Sequence, residues 1–298
     1  MPMPEGLPIL DTYMSVPTRG AKHLRYLFMH KHLRDDGSKE MAFPAEYMFK
    51  DHPQWDPDSP DFDPVSFVVE SMDRNGVAQT ILMADPERPD FGDTKRAFDQ
   101  HPDRFFLGSA NFDPNDVMGT TAKIERHVRD HGVKLIQFFP SGTSPQVPID
   151  DPKMYAVYAK CVEVGVPVAV CAGVPGPRLP MDAQHVELID RVMYDFPNLV
   201  FITRHGCEPW EDLMVKLMLK WPNLYYSTSA FAPKHYPKAI VDYANTRGAD
   251  KIIYAGYFPD GLSLDRIFTD MPGVPFRDHV WPKFLHENAR RVLDIAAP

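Results

Sequence analysis

His205, Tyr13, Tyr257, Asp11 and Cys171 are the side chains in this 298-residue sequence best suited to acid–base or acyl chemistry. Each stands at or beside the end of a short apolar run. His205 follows the run at 200–203, on the parity expected to face the mouth of a barrel. An imidazole titrates near neutral pH and can take a proton from water as general base. The other reading is a histidine hydrogen-bonded within the fold. Tyr13 and Tyr257 offer phenols that could donate to a developing oxyanion, or two rings that merely fill space. Asp11 lies two residues before Tyr13, hence on the same face of a strand. It could orient His205, act as acid or base, or anchor the strand as a buried carboxylate with hydrogen-bond partners. Cys171 could be a nucleophile if an imidazole favours its thiolate, or a small apolar core residue.

A second group could bind substrate. Arg178, in the Gly-Val-Pro-Gly-Pro-Arg-Leu-Pro loop at 173–180, could hold a carboxylate or phosphate through its planar fork, or pair with Glu208. Glu208 and His235 sit in loops beyond later runs, where either substrate contact or a surface role fits. Phe138 offers aromatic surface for a ring-containing ligand, or core. Arg204, one residue before His205, is expected to point away from the mouth and to pair with Glu208 or Glu211.

Those residues need elements to position them. Apolar runs at 7–14, 78–83, 105–110, 133–138, 166–171, 200–203, 224–227 and 251–255 show little polar alternation, as strands buried on both faces do. Amphipathic helical segments alternate with them at 65–75, 93–101, 116–131, 152–164, 183–196, 209–221 and 237–247, with a last one at 282–295. Eight strand–helix units in one chain predict a single (β/α)8 TIM barrel over residues 1–298, whose catalytic groups collect where strands run out into loops. No Gly-x-Gly-x-x-Gly follows the first run, so an open dinucleotide-binding sheet is not indicated. Acidic–proline pairs at Asp63-Pro64, Asp113-Pro114, Asp151-Pro152 and Glu208-Pro209 read as helix starts. The long connection at 15–64 is expected to act as a lid or as a dimerisation arm.

Composition excludes several classes. A formal charge of −9 disfavours nonspecific nucleic-acid binding. No apolar run reaches the ~18 residues of a membrane span and no leader pattern opens the sequence. Cys161, Cys171 and Cys207 form neither a disulfide framework nor a Cys-x-x-Cys pair, so a reducing, cytoplasmic setting is expected.

The later segments carry a resemblance. They include Asp-Phe-Pro-Asn-Leu-Val-Phe-Ile-Thr-Arg-His-Gly at 195–206, Trp-Pro-Asn-Leu-Tyr-Tyr at 221–226, Lys-Ile-Ile-Tyr-Ala-Gly-Tyr-Phe-Pro at 251–259 and Phe-Leu-His-Glu-Asn-Ala-Arg-Arg-Val-Leu at 284–293. In this order they resemble the amidohydrolase-related family that includes aromatic-acid decarboxylases and metal-independent lactonases. Metal-using members of that family end their first strand in Asp-x-His-x-His; here the segment is Asp11-Thr-Tyr13-Met-Ser15. The ligand histidine of strand five is matched by Cys171, and the aspartate of strand eight by Tyr257. His205 alone remains of the resemblance's ligand set. A divalent ion needs three or four converging donors, so neither metal nor other cofactor is expected. Asp11, Cys171 and His205 form the alternative, rebuilt ligand set.

What the resemblance and the residues imply together is a metal-independent hydrolase of a small cyclic ester, amide or activated carbonyl compound. The rival is a lyase, a decarboxylase or hydratase of an aromatic or cyclic acid; a third reading is a non-catalytic binding barrel. The expected partner is a small molecule, aromatic or carboxylate-bearing, and a homo-oligomer is expected from base rates.

Overall fold

A computed structural model describes residues 3–17, 31–40 and 59–297. Eight strands pair in sequence order, each parallel to the next. They are β1 (Ile9–Met14), β2 (Val77–Ala84), β3 (Phe105–Ser109), β4 (Leu135–Phe138), β5 (Val168–Cys171), β6 (Phe201–Arg204), β7 (Leu224–Ser227) and β8 (Ile252–Ile253). The helices are α1 (Asp36–Lys39), α2 (Pro64–Arg74), α3 (Gly92–Gln100), α4 (Val117–His131), α5 (Pro152–Val164), α6 (Leu188–Asp195), α7 (Glu211–Lys220), α8 (Lys238–Tyr243), α9 (Leu264–Asp270) and α10 (Asn288–Leu293). The seam between β8 and β1 is bridged by Thr12 N to Tyr254 O (3.3 Å), Tyr257 N to Tyr13 O (3.0 Å) and Ser15 N to Phe258 O (3.0 Å). The fold is the expected (β/α)8 barrel.

Two apolar layers follow from strands buried on both faces. Leu10, Ile81, Met83, Leu135, Ala169, Ile202, Tyr225 and Ile253 fill the barrel interior, while the alternate residues, among them Leu82, Ile136, Val168, Val170, Phe201 and Ile252, pack outward against the helices. Burying a Val, Leu, Ile or Phe side chain contributes about 1.5–3 kcal/mol, so one strand sequence supports both layers. β1 breaks the alternation. Its register with β2 shifts between Asp11 and Met14, and Leu10 and Tyr13, three residues apart, both belong to the interior. Asp11 and Tyr13 therefore do not share a face, contrary to the two-residue spacing rule.

Helix starts at Asp63-Pro64 and Asp151-Pro152 form as read, each Asp accepting from an early amide, Ser66 N and Lys153 N. The other two pairs differ. α4 begins after Asp116, whose carboxylate accepts from Gly119 N, and α7 begins after Trp210. Asp113 instead accepts from Asn115 N in a tight turn, a local bond that competes with helix initiation. Helix α9, after β8, has no counterpart in the sequence reading. Among the described residues no helix is long and apolar enough to cross a membrane. Most of the 15–64 segment, and with it the lid or arm expected there, lies outside the described residues.

Candidate active site at the barrel mouth

The C-terminal strand ends surround a cavity of about 900 Å³. Tyr13 (β1), Asp85 (after β2), Asn111 (after β3), Gln137 (β4), Cys171 (β5), His205 (after β6) and Tyr257 (after β8) reach its wall. Four lining residues hold left-handed backbone without being glycine: Asn111 (φ 66°), His205 (φ 64°), Ala230 (φ 70°) and Tyr257 (φ 68°). That conformation costs roughly 1–3 kcal/mol per residue and persists where its surroundings enforce it. The strain re-aims side chains just past the strand ends.

The floor is built around a buried cation. Arg204 is 2% exposed, and its guanidinium carbon lies 4.2 Å from the Tyr13 ring centre and 5.7 Å from that of Tyr257. The two rings stack on each other at 4.5 Å with planes 17° apart. Nη1 of Arg204 approaches Cys171 Sγ at 3.8 Å, while Nε and Nη2 have no hydrogen-bond partner among the described residues. Burial opposes the Arg204 charge, but Cys171, Tyr13 and Tyr257 together hold its pKa above the usual value. Burial raises the Tyr13 phenol against the pull of Arg204, and raises the Cys171 thiol against the same pull. Tyr13 and Cys171 are thus both protonated at neutral pH.

His205 stands edge-on to Tyr257, ring centres 5.2 Å apart at 86°. Its Nδ1 is 3.3 Å from Ser229 Oγ, which leaves Nε2 for chemistry. Burial first, and Arg204 second, push its pKa well below the ordinary histidine value, with Ser229 opposing. A neutral imidazole at the cavity wall can accept a proton.

Asp11 lies outside the cavity wall, against Gly256 and Tyr254. Its Oδ1 accepts from Tyr13 N (2.9 Å) and Gly256 N (2.9 Å), tying β1 to the chain leaving β8. Burial raises its carboxyl to about 7 against those amides. It does not line the cavity, and its hydrogen bonds run to backbone rather than to His205.

The expected binding residues divide. Glu208 lines the cavity, and burial, reinforced by Glu211, raises its carboxyl above the usual value. Phe138 does not line the cavity: it packs outward in the helix-facing core, and its neighbours Gln137 and Phe139 face the mouth instead. Arg178 pairs with Asp35 at 2.7 Å and neither lines the cavity nor meets Glu208. His235 is exposed outside the cavity wall. The largest correction concerns Arg204. Ile202 points into the barrel, so Arg204, two residues on, does too; its guanidinium meets two phenols and a thiol, and pairs with neither Glu208 nor Glu211.

The described residues at the mouth do not fit a divalent ion. No three His, Cys, Asp or Glu side chains converge among the described residues. A cation at Cys171 would face the Arg204 guanidinium, and Asp11 Oδ1 is already engaged by two amides.

A barrel with a polar, strained mouth on its C-terminal face defines the class. The chain belongs to the amidohydrolase family, whose model matches residues 28–295. An uncharacterized TIM-barrel protein of Bordetella bronchiseptica is 21% identical, with a TM-score of 0.71, the match covering 97% of this chain and 99% of that one. The 5-carboxyvanillate decarboxylase of Novosphingobium aromaticivorans, solved with manganese, is 17% identical (TM-score 0.62; 97% and 96% covered). A probable 2-pyrone-4,6-dicarboxylic acid hydrolase of Acinetobacter baumannii is 11% identical (TM-score 0.58; 97% and 100% covered). These likenesses establish the fold. No curated protein matches the sequence at comparable stringency.

Proposed function

We propose that this chain is a metal-independent hydrolase of a small cyclic ester, amide or activated carbonyl compound. One observation carries the reading: a fixed buried cation, Arg204, stands against two stacked phenols, with His205 edge-on to one of them. Preorganised donors aimed at developing charge are worth most in a low-dielectric site. His205 Nε2 takes a proton from water as the water oxygen bonds to the carbonyl carbon. The carbonyl electron pair moves to oxygen, where the Tyr13 and Tyr257 hydroxyls donate, with the Arg204 charge beside both rings. As the intermediate collapses, the bond to the leaving oxygen or nitrogen breaks, and that atom takes the proton held by His205. Asp11 anchors the strand that carries Tyr13. Cys171 stays a thiol beside Arg204, because burial raises its pKa.

The lyase reading draws on the aromatic wall of Phe112, Phe139 and Phe231 and on the decarboxylases among the structural neighbours. Incubation with a panel of lactones and hydroxybenzoic acids in ¹⁸O-labelled water separates the two. Solvent oxygen in a ring-opened product supports hydrolysis. Carbon dioxide release with solvent hydrogen on the ring supports the lyase and overturns the proposal.

A further inference from the structure

Opposite His205 the cavity carries a braced carboxylate for which the proposed chemistry has no use. In an eight-stranded barrel β2 and β6 face each other across the axis, and Asp85 follows β2 directly. Asp85 is 6% exposed, and it contributes to the cavity wall. Lys123 Nζ donates to its Oδ2 at 2.6 Å, and Glu87 N donates to its Oδ1 at 3.1 Å. His127, fully buried on α4, brings Nε2 to 3.6 Å from Oδ1, while its Nδ1 is fixed 2.8 Å from Ser109 Oγ. Lys123 is itself steadied by Asn111 O at 3.2 Å and by the Phe112 ring at 5.2 Å.

Three residues, Lys123 and His127 on α4 and Glu87 in the turn after β2, therefore brace one carboxylate at the cavity wall. A carboxylate offers about four lone-pair sites, and among the described residues each Asp85 oxygen has one donor at hydrogen-bond distance. Two strands along the same wall, Gln137 also contributes to the lining, and its buried Oε1 has no hydrogen-bond partner among the described residues. The spare lone pairs of Asp85 at the cavity wall suit a ligand that brings a donor.

We propose that Asp85 is the specificity-determining acceptor of this site and seats a hydroxyl group carried on the substrate ring, across the cavity from His205. The assignment of the reacting end rests on the hydrolase reading; the seating of the hydroxyl does not. Lys123 and His127 are positioning residues that keep the Asp85 carboxylate facing the cavity.

Two measurements test it. Turnover of glucono-δ-lactone is compared with that of δ-valerolactone in the wild type and in Asp85→Asn. Binding of 3-hydroxytetrahydropyran is compared with that of tetrahydropyran by ligand-observed NMR, which requires no reaction. The wild type is expected to favour the hydroxylated member of each pair by roughly tenfold or more. In Asp85→Asn, whose amide nitrogen replaces an acceptor, both preferences should collapse. Should that variant not fold, Asp85→Asn with Lys123→Met removes the ion pair as a unit and carries the same expectation. Equal binding of both tetrahydropyrans by the wild type, or a preference that survives in the variant, overturns the proposal. A binding preference without turnover of either lactone sinks the hydrolase reading and leaves the Asp85 assignment standing.

Discussion

Tyr13 and Tyr257 stack face to face at 4.5 Å although they come from opposite ends of the chain. Their backbones meet as well, Tyr257 N donating to Tyr13 O at 3.0 Å. The contact fastens the barrel seam and also stacks two phenol rings next to the Arg204 guanidinium. Removing one hydroxyl while keeping the ring tests function apart from structure. Tyr13→Phe or Tyr257→Phe should lower kcat by about 10²–10³-fold, the usual loss for one oxyanion donor. The melting temperature should stay close to that of the wild type. Steady-state kinetics on the best lactone substrate, with a calorimetric melt, reads both; unchanged kcat in both variants removes the phenols from the mechanism.

His205 makes a prediction about pH. Its pKa is pushed well below the ordinary 6.5 by burial and by Arg204, so the base is already neutral at pH 7. The rate should therefore rise with pH only in the acid range, below the ordinary histidine value, and run flat through neutrality. His205→Gln should cost about 10²–10⁴-fold in kcat. A kcat profile whose acid limb sits at or above pH 6.5 would count against His205 as the base.

How far the sequence alone reached is clearest at β6 and β1. Long apolar runs separated by amphipathic segments were enough to read a barrel, since strands buried on both faces leave little room for polar residues. Orientation at the strand ends was harder. His205 gives the wrong parity for β6, because it lies past the strand with φ 64°, where alternation no longer holds. Counting from Ile202, an unbroken apolar position, turns Arg204 inward. The β1 irregularity leaves no residue signature, because the segment around Asp11 contains neither Gly nor Pro to mark a bulge. Asp85 and Gln137 did leave a signal: one polar residue directly after an apolar run, and one within Leu-Ile-Gln-Phe at 135–138.

Arg204 separates activity from stability. Its Nε and Nη2 are buried without hydrogen-bond partners among the described residues, and an imperfectly compensated buried charge often stabilises less than an apolar side chain of similar volume. Arg204→Met should therefore leave the melting temperature equal or higher. Turnover should fall by at least about tenfold to a hundredfold as the phenols lose their neighbouring charge. Arg204→Lys keeps a charge but not the planar fork, and should fall between. Parallel losses of activity and melting temperature in Arg204→Met would mark the residue as structural alone.

A metal requirement can be tested on the whole enzyme. The donor geometry offers a divalent ion no converging ligand set among the described residues. Dialysis against a strong chelator should leave kcat and KM within experimental error, and added manganese or zinc should not raise them. Loss of activity on chelation, restored by one metal equivalent, would refute the metal-independent mechanism.

Asp11 and His127 set opposing slopes on stability against pH. Burial raises the Asp11 carboxyl from 3.8 to about 7. Between those values the folded chain keeps a proton that the unfolded chain has released, so this contribution is present below pH 3.8 and lost as pH rises through 7. His127 behaves oppositely. Burial lowers its pKa from 6.5 to about 4, so between those values the unfolded chain holds the extra proton. Its contribution is present above pH 6.5 and lost as pH falls through 4. From pH 4 to 6.5 the two largely cancel, and the wild-type melting temperature should change little on their account. Asp11→Asn keeps an oxygen to accept from Tyr13 N and Gly256 N but cannot be forced to ionise. Its melting temperature should climb from pH 4 to 6.5 and exceed that of the wild type above pH 7, reflecting a stability gain on the order of 1–3 kcal/mol. Calorimetric melts of both proteins from pH 4 to 8 read the slopes directly. Parallel curves would mean that Asp11 is ionised in the fold across this range.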